Sequence, residues 1–348
     1  MAERLTVALD AMGGDAAPDI VVQGAEIARE RFPGARYLFF GDEAEVKPLL
    51  DRLPALAAVS ELRHTSDRIS GETKPSAALR TGRSSSMWMA IEAVQQGEAD
   101  AVVSAGNTGA LMAISKFILR MPKGVDRPAI AGFFPSQRGE TVMLDLGANI
   151  ECDAENLVQF AVMGSIFARS VLGMERPRVG LLNVGAEEMK GNGAVRAAAG
   201  ILRSIDLPLE FVGFIEGNDI MSGAVDVTVT DGFTGNVALK SAEGTSRLCM
   251  EFLRQTFHHS LMAKMGYLLA KPALSKLRQR LDPRRYNGAV FLGLNGVTVK
   301  SHGASDAYAF ANAIGVAVDM VQHGFLGSIR EELEHLSPPD DDAKAAHA

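Results

Sequence analysis

The sequence has 348 residues with a formal net charge of −7, and 47% of its residues are hydrophobic, enough to bury a large core in one domain or two. The acidic balance argues against a broad nucleic-acid-binding face. Two cysteines without a CxxC pair or a neighbouring histidine cluster argue against a disulfide scaffold and a metal site, and they fit a cytoplasmic protein.

Short apolar runs alternate along the chain with longer segments of helical periodicity. The predicted strands are Leu5–Leu9, Tyr37–Phe40, Ala101–Val103, Ala129–Phe134, Thr141–Leu144, Arg178–Leu182, Phe211–Phe214, Val225–Val229 and Val297–Val299. The predicted helices are Pro18–Arg31, Ser85–Gln96, Asn107–Leu119, Ala154–Leu172, Gly193–Ser204, Asn236–Phe257 and Ser305–Gln322. Helices between short, continuously apolar strands indicate crossover connections and strands covered on both faces. We therefore expect one α/β domain over residues 1–336, with a mainly parallel sheet between two helical layers in a Rossmann-like, three-layer arrangement.

The segment from Phe252 to Leu281 differs from the rest because it contains no acidic residue. Leucines and methionines recur in it at helical spacing, and Pro272 divides them into two sets. The pattern predicts two short, basic, amphipathic helices with a break, forming a protruding hairpin at about residues 257–281. The polar, proline-broken end, residues 337–348, is expected to be a disordered tail.

Seven glycine-rich polar clusters follow predicted strands. They are DAMGGD (10–15), SAGNTG (104–109), DLGANIE (145–151), NVGAEEMKGN (183–192), IEGND (215–219), TDGFTGN (230–236) and KSHGASD (300–306). In a parallel sheet such loops share the edge at the carboxyl ends of the strands, where ligands bind. We expect all seven at one edge, although each alone could equally be a turn with a helix cap.

The composition of the clusters favours an anion. Glycines let backbone N–H groups approach a ligand, and helix N-termini add unpaired donors and a positive dipole end. Lys190, Lys240 and Lys300 lie in or near the clusters and could neutralise a phosphate, or could be solvated surface charges. The chain has no Walker sequence and no GxSxG, and its nearest approach to GxGxxG has Arg196 at the third glycine, so neither a nucleotide cofactor nor a serine nucleophile is expected. Cys152 is interpreted as structural.

The clusters occur in an order that resembles a known family. The motifs are DAMGGD followed by Pro18, SAGNTGALM, RPA (Arg127–Ala129), DLGAN, GLLNVGAEEMKGN, DVTVTDGFTGNVALKSAEG and VKSHGASD. Together they resemble the phosphate acyltransferases of bacterial phospholipid synthesis, the PlsX type, from about Val7 to Phe325. One departure is Asn287, where the family more often has glycine.

The resemblance implies the reaction and its partners. Such enzymes transfer a fatty acyl group from the acyl carrier protein thioester to inorganic phosphate, and a membrane glycerol-3-phosphate acyltransferase then uses the acyl phosphate. It implies a homodimer, a fold similar to phosphotransacetylases and the isocitrate dehydrogenase group, and no cofactor or metal. Because phosphate is itself the nucleophile, the site needs positioning and preorganised donors more than a covalent residue.

The positions of the motifs lead to a hypothesis for the site. Catalytic roles are assigned to Lys190, Asn192, Asp231, Asn236 and His302. Binding of phosphate or the acyl group is assigned to Asp10, Gly13, Gly14, Ser104, Gly106, Asn107, Thr108, Asn149, Lys240 and Lys300. We expect the phosphate to lie against both SAGNTG and NVGAEEMKGN.

Each proposed role follows from side-chain chemistry. Lys190 is the main countercharge, and Asn192, Asn236 and Asn107 are candidate donors to phosphate or to the oxyanion. Asp231 could orient a lysine or accept a proton from phosphate, and His302 could protonate the departing thiolate.

Several alternatives stay open. The basic hairpin could contact an anionic membrane, dock the acidic carrier protein or pack in a dimer, and we favour peripheral membrane contact combined with some dimer packing. Rival functions are a short-chain phosphotransacetylase that uses coenzyme A, a non-catalytic phosphate-binding protein that docks to membranes, and, third, an NAD-dependent dehydrogenase.

Overall fold

The computed structural model describes residues 5–336, except for the side chains at 258, 261, 278–281 and 333–336. The strands are β1 (Thr6–Asp10), β2 (Arg36–Gly41), β3 (Ser60–His64), β4 (Ala101–Ser104), β5 (Ala129–Ser136), β6 (Gly139–Leu144), β7 (Arg178–Leu182), β8 (Glu210–Ile215), β9 (Val227–Val229), β10 (Ala289–Leu292) and β11 (Val297–Lys300). All nine predicted strands are present, and β3 and β10 are additional. The predicted tail, residues 337–348, lies outside the described residues.

Several of the helices begin at side-chain caps. The helices are α1 (Asp19–Arg31), α2 (Glu43–Leu50), α3 (Pro54–Ala57), α4 (Pro75–Thr81), α5 (Ser86–Gln95), α6 (Thr108–Leu119), α7 (Ala154–Leu172), α8 (Gly193–Ser204), α9 (Gly217–Ser222), α10 (Gly232–His258), α11 (Leu261–Leu281), α12 (Ala307–Gln322) and α13 (Phe325–Leu336). Asn107, Asn192, Asp231 and Asp306 each accept a backbone N–H from the first turn of the helix that follows. Such caps satisfy donors that have no partner inside the helix.

One sheet of eleven strands runs through the molecule in the order β3-β2-β1-β4-β11-β10-β5-β6-β9-β7-β8. Apolar side chains cover both of its faces. One core contains Val22, Phe160 and Phe310 from α1, α7 and α12, and the other contains Trp88, Ile114 and Ile220 from α5, α6 and α9. The expectation of a mostly parallel α/β sheet between two helical layers is therefore confirmed.

The sheet reverses direction near its middle, which corrects the expectation of a single ligand edge. Strands β3, β2, β1, β4 and β11 are parallel, whereas β10, β5 and β6 pair antiparallel in succession. Strands β9, β7 and β8 then continue parallel to β6. The clusters after β1, β4 and β11 consequently lie at one edge, here called the first edge, and those after β6, β7, β8 and β9 lie at the opposite, second edge.

The hairpin predicted at about residues 257–281 is wrong in its bounds, because nearly all of that segment is the single helix α11, which pairs with α10 to form a longer hairpin; the predicted break at Pro272 is also wrong. Helix α11 continues through Pro272 for 21 residues. The proline removes one backbone donor, and because this part of the helix is exposed, water can satisfy the carbonyl left without it. Helix α10 begins at the second edge, whereas Arg284, just after α11, forms an ion pair with Asp306 at the first edge.

Candidate active site

At the first edge, a buried carboxylate joins three segments of the chain. Asp10, at the end of β1, accepts hydrogen bonds from the hydroxyls of Ser86 and Ser104, each at 2.6 Å. Burial raises the pKa of Asp10, although these hydrogen bonds oppose the shift. A Cβ built on Gly13 would lie 2.4 Å from Asp10 Oδ2, so this glycine is required for the close approach of the loop to the carboxylate.

The other first-edge donors also have partners within the protein. Lys300 Nζ donates to the carbonyl oxygens of Ala105, at 3.3 Å, and Ser301. Burial lowers the pKa of Lys300 to about 8, although the charges of Asp10 and Asp15 oppose the shift. Asn107 caps α6 with its oxygen, and its amide nitrogen donates to the carbonyls of Gly71 and Thr73 at 2.7 and 3.0 Å.

The remaining predicted first-edge residues contribute backbone or exposed groups. Gly14 has φ of +107°, which favours glycine, and Gly106 N–H donates to the Ser104 hydroxyl at 3.0 Å. Thr108 is exposed at the start of α6. His302 is exposed, and its Nδ1 accepts the Ala304 N–H at 3.1 Å. These contacts shape the loops and leave few side-chain donors for a ligand.

At the second edge, a second buried carboxylate organises the loop after β6. Asp145 accepts backbone N–H groups from Ile130 and Ala148 at 2.9 and 3.0 Å, and from Asn149 at 2.7 Å. Burial raises the pKa of Asp145 against the effect of these bonds. The amide nitrogen of Asn149 donates to the carbonyl of Pro128 at 2.8 Å, so this predicted ligand residue supports the loop.

The start of α10 packs against that loop. Gly232 N–H donates to the Asn149 carbonyl at 2.7 Å, and Asp231 caps the helix through Thr234 N–H at 2.8 Å. Asn236 lies one turn into the helix beside Gly147. Within residues 5–336 no hydrogen-bond partner is found for the Asn236 side chain, so its amide is available to a ligand.

The loop after β7 contributes the ammonium group of Lys190 to the second edge. Asn183 donates to the carbonyl of Lys190 at 3.1 Å and fixes the turn, and Asn192 Oδ1 caps α8 through Val195 N–H at 2.9 Å. Lys190 is half-exposed, and its ammonium lies 3.1 Å from the Glu187 carboxylate. An exposed pair of this kind contributes little stability, so an anion can compete with Glu187 for Lys190.

The predicted site residues therefore form two groups. The first edge contains Asp10, Gly13, Gly14, Ser104, Gly106, Asn107, Thr108, Lys300 and His302. The second edge contains Asn149, Lys190, Asn192, Asp231 and Asn236. Lys240 lies two turns into α10 and pairs with Glu243 at 3.1 Å. The strands before SAGNTG and NVGAEEMKGN run in opposite senses within the sheet, and the expectation that one phosphate touches both loops stays a prediction.

Two residues whose hydrogen bonds hold the strand-end loops together, Ser86 and Asp145, were not among those assigned from the sequence. Ser86 lies 76 residues from Asp10 in the sequence and carries no local signal for that bond. Asp145 had a signal, since it directly follows an apolar strand and begins the cluster DLGANIE.

Cys152 does not have the properties of a nucleophile. Burial, with the charges of Asp145 and Asp231, raises the pKa of its thiol to about 12. Over residues 5–336, no cluster of metal-ligating side chains is found. None of the helices described here combines the length and hydropathy needed to cross a membrane.

Comparison with known proteins gives close relatives over the whole chain. Residues 5–327 match the family described as "Fatty acid synthesis protein". The chain is 66% identical to the phosphate acyltransferase of Rhodospirillum centenum over 336 residues, or 97% of this chain and 95% of that relative. It is 61% identical to the phosphate acyltransferase of Paramagnetospirillum magneticum over 340 residues, or 98% and 97% of the two chains.

Solved structures share the fold at much lower identity. EutD phosphotransacetylase from Staphylococcus aureus aligns with a TM-score of 0.59 at 17% identity, over 92% of this chain and 95% of that one. A phosphotransacetylase from Streptococcus pyogenes aligns with a TM-score of 0.61 at 17% identity, over 92% and 95%. The expected likeness to the phosphotransacetylase fold is confirmed.

Proposed function

The chain belongs to the phosphate acyltransferase family of bacterial lipid synthesis, the PlsX type, and on that premise we propose that it uses acyl carrier protein thioesters and inorganic phosphate. The enzyme transfers an acyl group to phosphate for phospholipid synthesis. A phosphate oxygen attacks the thioester carbonyl carbon, a C–O bond forms, the C–S bond breaks, and the carrier thiolate leaves and takes up a proton. The products are acyl phosphate and free carrier protein.

The second edge is the proposed phosphate site. The observation that supports this assignment is the availability of its donors. Asn236 is exposed and Lys190 has only an exposed ion pair with Glu187, whereas Asn107 and Lys300 at the first edge already donate to backbone carbonyls. The N-termini of α8 and α10 lie at the same edge and add dipoles of the favourable sign.

The roles at this site follow from charge and position. Lys190 offsets the charge of the phosphate, and Asn236 donates to the phosphate or to the oxyanion that develops on the carbonyl. Positioning contributes about 7–11 kcal/mol in well-oriented systems, and one oxyanion donor contributes a factor of about 10²–10³ in rate. His302 is at the opposite edge of the same chain, so this scheme does not use it; a thiolate leaves readily without an acid.

Substitution of Lys190 tests the site. We expect Lys190→Ala to lower kcat/KM for phosphate about 100-fold, while Lys47→Ala, which removes an exposed lysine from α2, leaves it unchanged. Wild-type kcat and phosphate KM in Lys190→Ala would remove Lys190 from the mechanism. If Lys300→Met loses phosphate binding and Lys190→Ala keeps it, the phosphate site lies at the first edge.

The identity of the acyl donor is tested by comparing thioesters of acyl carrier protein and of coenzyme A. We expect palmitoyl thioester of acyl carrier protein to react at least about tenfold faster, by kcat/KM, than the same thioester of coenzyme A. A preference for the coenzyme A thioester would support the alternative function, a phosphotransacetylase. The solved phosphotransacetylase structures are only 17% identical to this chain, so they support the fold and not that function.

The hairpin is proposed to contact an anionic membrane, where a glycerol-3-phosphate acyltransferase would receive the acyl phosphate. Met262, Met265 and Leu269 are exposed on one face of α11, and Lys264 and Lys271 lie on the opposite face. A helix with one apolar face and one basic face is typical of helices that lie along a surface of acidic lipids.

Vesicle binding tests the membrane contact. We expect co-sedimentation with anionic vesicles at low salt, and a fall of about fivefold or more in binding for Met265→Gln. Met221→Gln, at an exposed methionine on α9, is the matched control. No binding by the wild-type chain would refute the contact.

A homodimer is proposed from the same helices. Leu248 and Phe252 are exposed on α10, and large apolar side chains at such density commonly mark an interface. Sedimentation velocity on the wild-type chain tests the assembly, because a monomeric wild type would exclude a homodimer. The same measurement on Phe252→Ser tests whether this face of α10 forms the interface.

A further inference from the structure

The second edge carries apolar side chains as well as polar donors. Five large apolar residues are exposed there, with exposed fractions of 72% for Ile150, 78% for Val184, 82% for Met189, 63% for Phe233 and 51% for Val237. Ile150 lies in the loop after β6, Val184 and Met189 lie in the loop after β7, and Phe233 and Val237 lie in the first two turns of α10, which follows β9. Strands β6, β9 and β7 are neighbours in the sheet. A set of exposed apolar residues beside one site commonly marks a ligand or an interface.

These residues are continuous with the proposed phosphate site. Met189 immediately precedes Lys190, and Val237 immediately follows Asn236. Phe233 and Val237 are one helical turn apart and lie on the same face of α10. The bond from Gly232 N–H to the Asn149 carbonyl brings the loop with Ile150 onto that first turn.

The chemistry of the reaction requires an apolar ligand close to this position. In a reactive complex, the acyl carbonyl carbon lies about 3–3.5 Å from the attacking phosphate oxygen. The acyl chain therefore begins beside Lys190 and Asn236 and must continue over the adjoining surface. Each methylene taken out of water changes affinity by roughly fourfold, so even partial contact selects for long chains.

We propose that Met189, Phe233 and Val237 form an acyl-binding rim that contacts the fatty acyl chain beyond the carbons that a butyryl chain also has, and so determines the preference for chain length. This inference rests on the proposed function, because it takes Lys190 and Asn236 as the phosphate donors. The competing occupant is a second copy of the chain, for which the rim would be an interface.

The experiment measures chain-length preference in matched variants. Val237→Ser and Phe233→Ala are compared with Val212→Ser, which changes an exposed valine within β8, away from the strand-end loops. The substrates are butyryl and palmitoyl thioesters of acyl carrier protein, with phosphate as acceptor. We expect KM for the palmitoyl substrate to rise about tenfold in the rim variants, with KM for the butyryl substrate and for phosphate unchanged and Val212→Ser like wild type.

Other outcomes overturn the inference in distinguishable ways. Equal losses with both thioesters would mean that the rim contacts the carrier or supports the fold. An unchanged chain-length ratio together with a shift from dimer to monomer in sedimentation would assign the rim to a second copy. If the ratio is unchanged while Lys190→Ala loses activity, the acyl-binding rim fails and the proposed function stands; if Lys190→Ala is fully active, the phosphate site itself fails.

Discussion

A Cβ built on Gly235 would lie 1.9 Å from the carbonyl oxygen of Asp145. The first turn of α10 therefore lies directly against the backbone at the end of β6, at a distance that only glycine allows. This contact sets the position of Asn236, the next residue. The geometry of the proposed phosphate site thus depends on the lack of a Cβ atom at position 235.

Two glycine substitutions in α10 should have opposite effects. We expect Gly235→Ala to lower the free energy of unfolding by about 3 kcal/mol, because backbone must move to admit the methyl group. Gly244→Ala is the matched control, since a Cβ there meets nothing within 4 Å, and it should raise stability by about 0.5–1 kcal/mol. Urea unfolding of both variants checks this, and equal effects would contradict the close contact.

A negative charge at position 236 should harm catalysis more than loss of the amide alone. We expect Asn236→Ala to lower kcat about 100-fold through loss of a donor, and Asn236→Asp to raise the KM for phosphate further by like-charge repulsion. Steady-state kinetics with varied phosphate measure both effects. A phosphate KM in Asn236→Asp equal to that of Asn236→Ala would show that the phosphate lies elsewhere.

Lys300 should make stability depend on pH. Its pKa is lowered to about 8 by burial in the folded chain, whereas a lysine in the unfolded chain titrates near 10.4. Between about pH 8 and pH 10 the folded state binds fewer protons than the unfolded state, so the contribution of Lys300 to stability rises with pH.

The comparison with Lys300→Met isolates this contribution. Relative to the variant, the wild type should gain up to about 1.4 kcal/mol in free energy of unfolding per pH unit over that range. Urea unfolding at pH 7.5 and 9.5 measures it. If the difference in free energy of unfolding between the two proteins is the same at both pH values, the pKa of Lys300 is not lowered.

The two cysteines should differ in reactivity. Cys249 is exposed on α10, whereas the pKa of Cys152 is raised to about 12, so Cys152 remains a neutral thiol at neutral pH. We expect an aromatic disulfide reagent at pH 8 to modify one thiol rapidly in the folded chain and both in urea. Cys249→Ser should remove the rapid phase, and a remaining rapid phase would assign it to Cys152.

The strand pattern was predictable from the sequence, but the direction of the strands was read incorrectly. The signal for the reversal is the gap between the predicted strands ending at Phe134 and beginning at Thr141. Six residues cannot hold a crossover helix, which needs a dozen or more, so the two strands had to be antiparallel. Strand β3, Ser60–His64, was missed because it is a partly exposed edge strand without an apolar run.

The proposed site follows from residue types that the sequence displays, whereas its geometry does not. The clusters identified Lys190 and Asn236 because charge and amide groups beside glycines are visible locally. The bonds from Asn107 to Gly71 and Thr73 span more than 30 residues, and nothing in the local pattern indicates that they occupy its amide. Whether a polar side chain is free for a ligand depends on such distant partners.

The 27 residues of α10 form one rod about 40 Å long. Its near end is fixed by the contact of Gly235 with Asp145, and its far end carries the turn of the hairpin. Ala238, Leu239 and Ala242 also pack against the core, so a bend of the exposed remainder of α10 moves the far end by several ångströms and leaves Asn236 almost stationary. Movement of the hairpin against the membrane surface proposed for it would thus leave the proposed phosphate donors at their spacing.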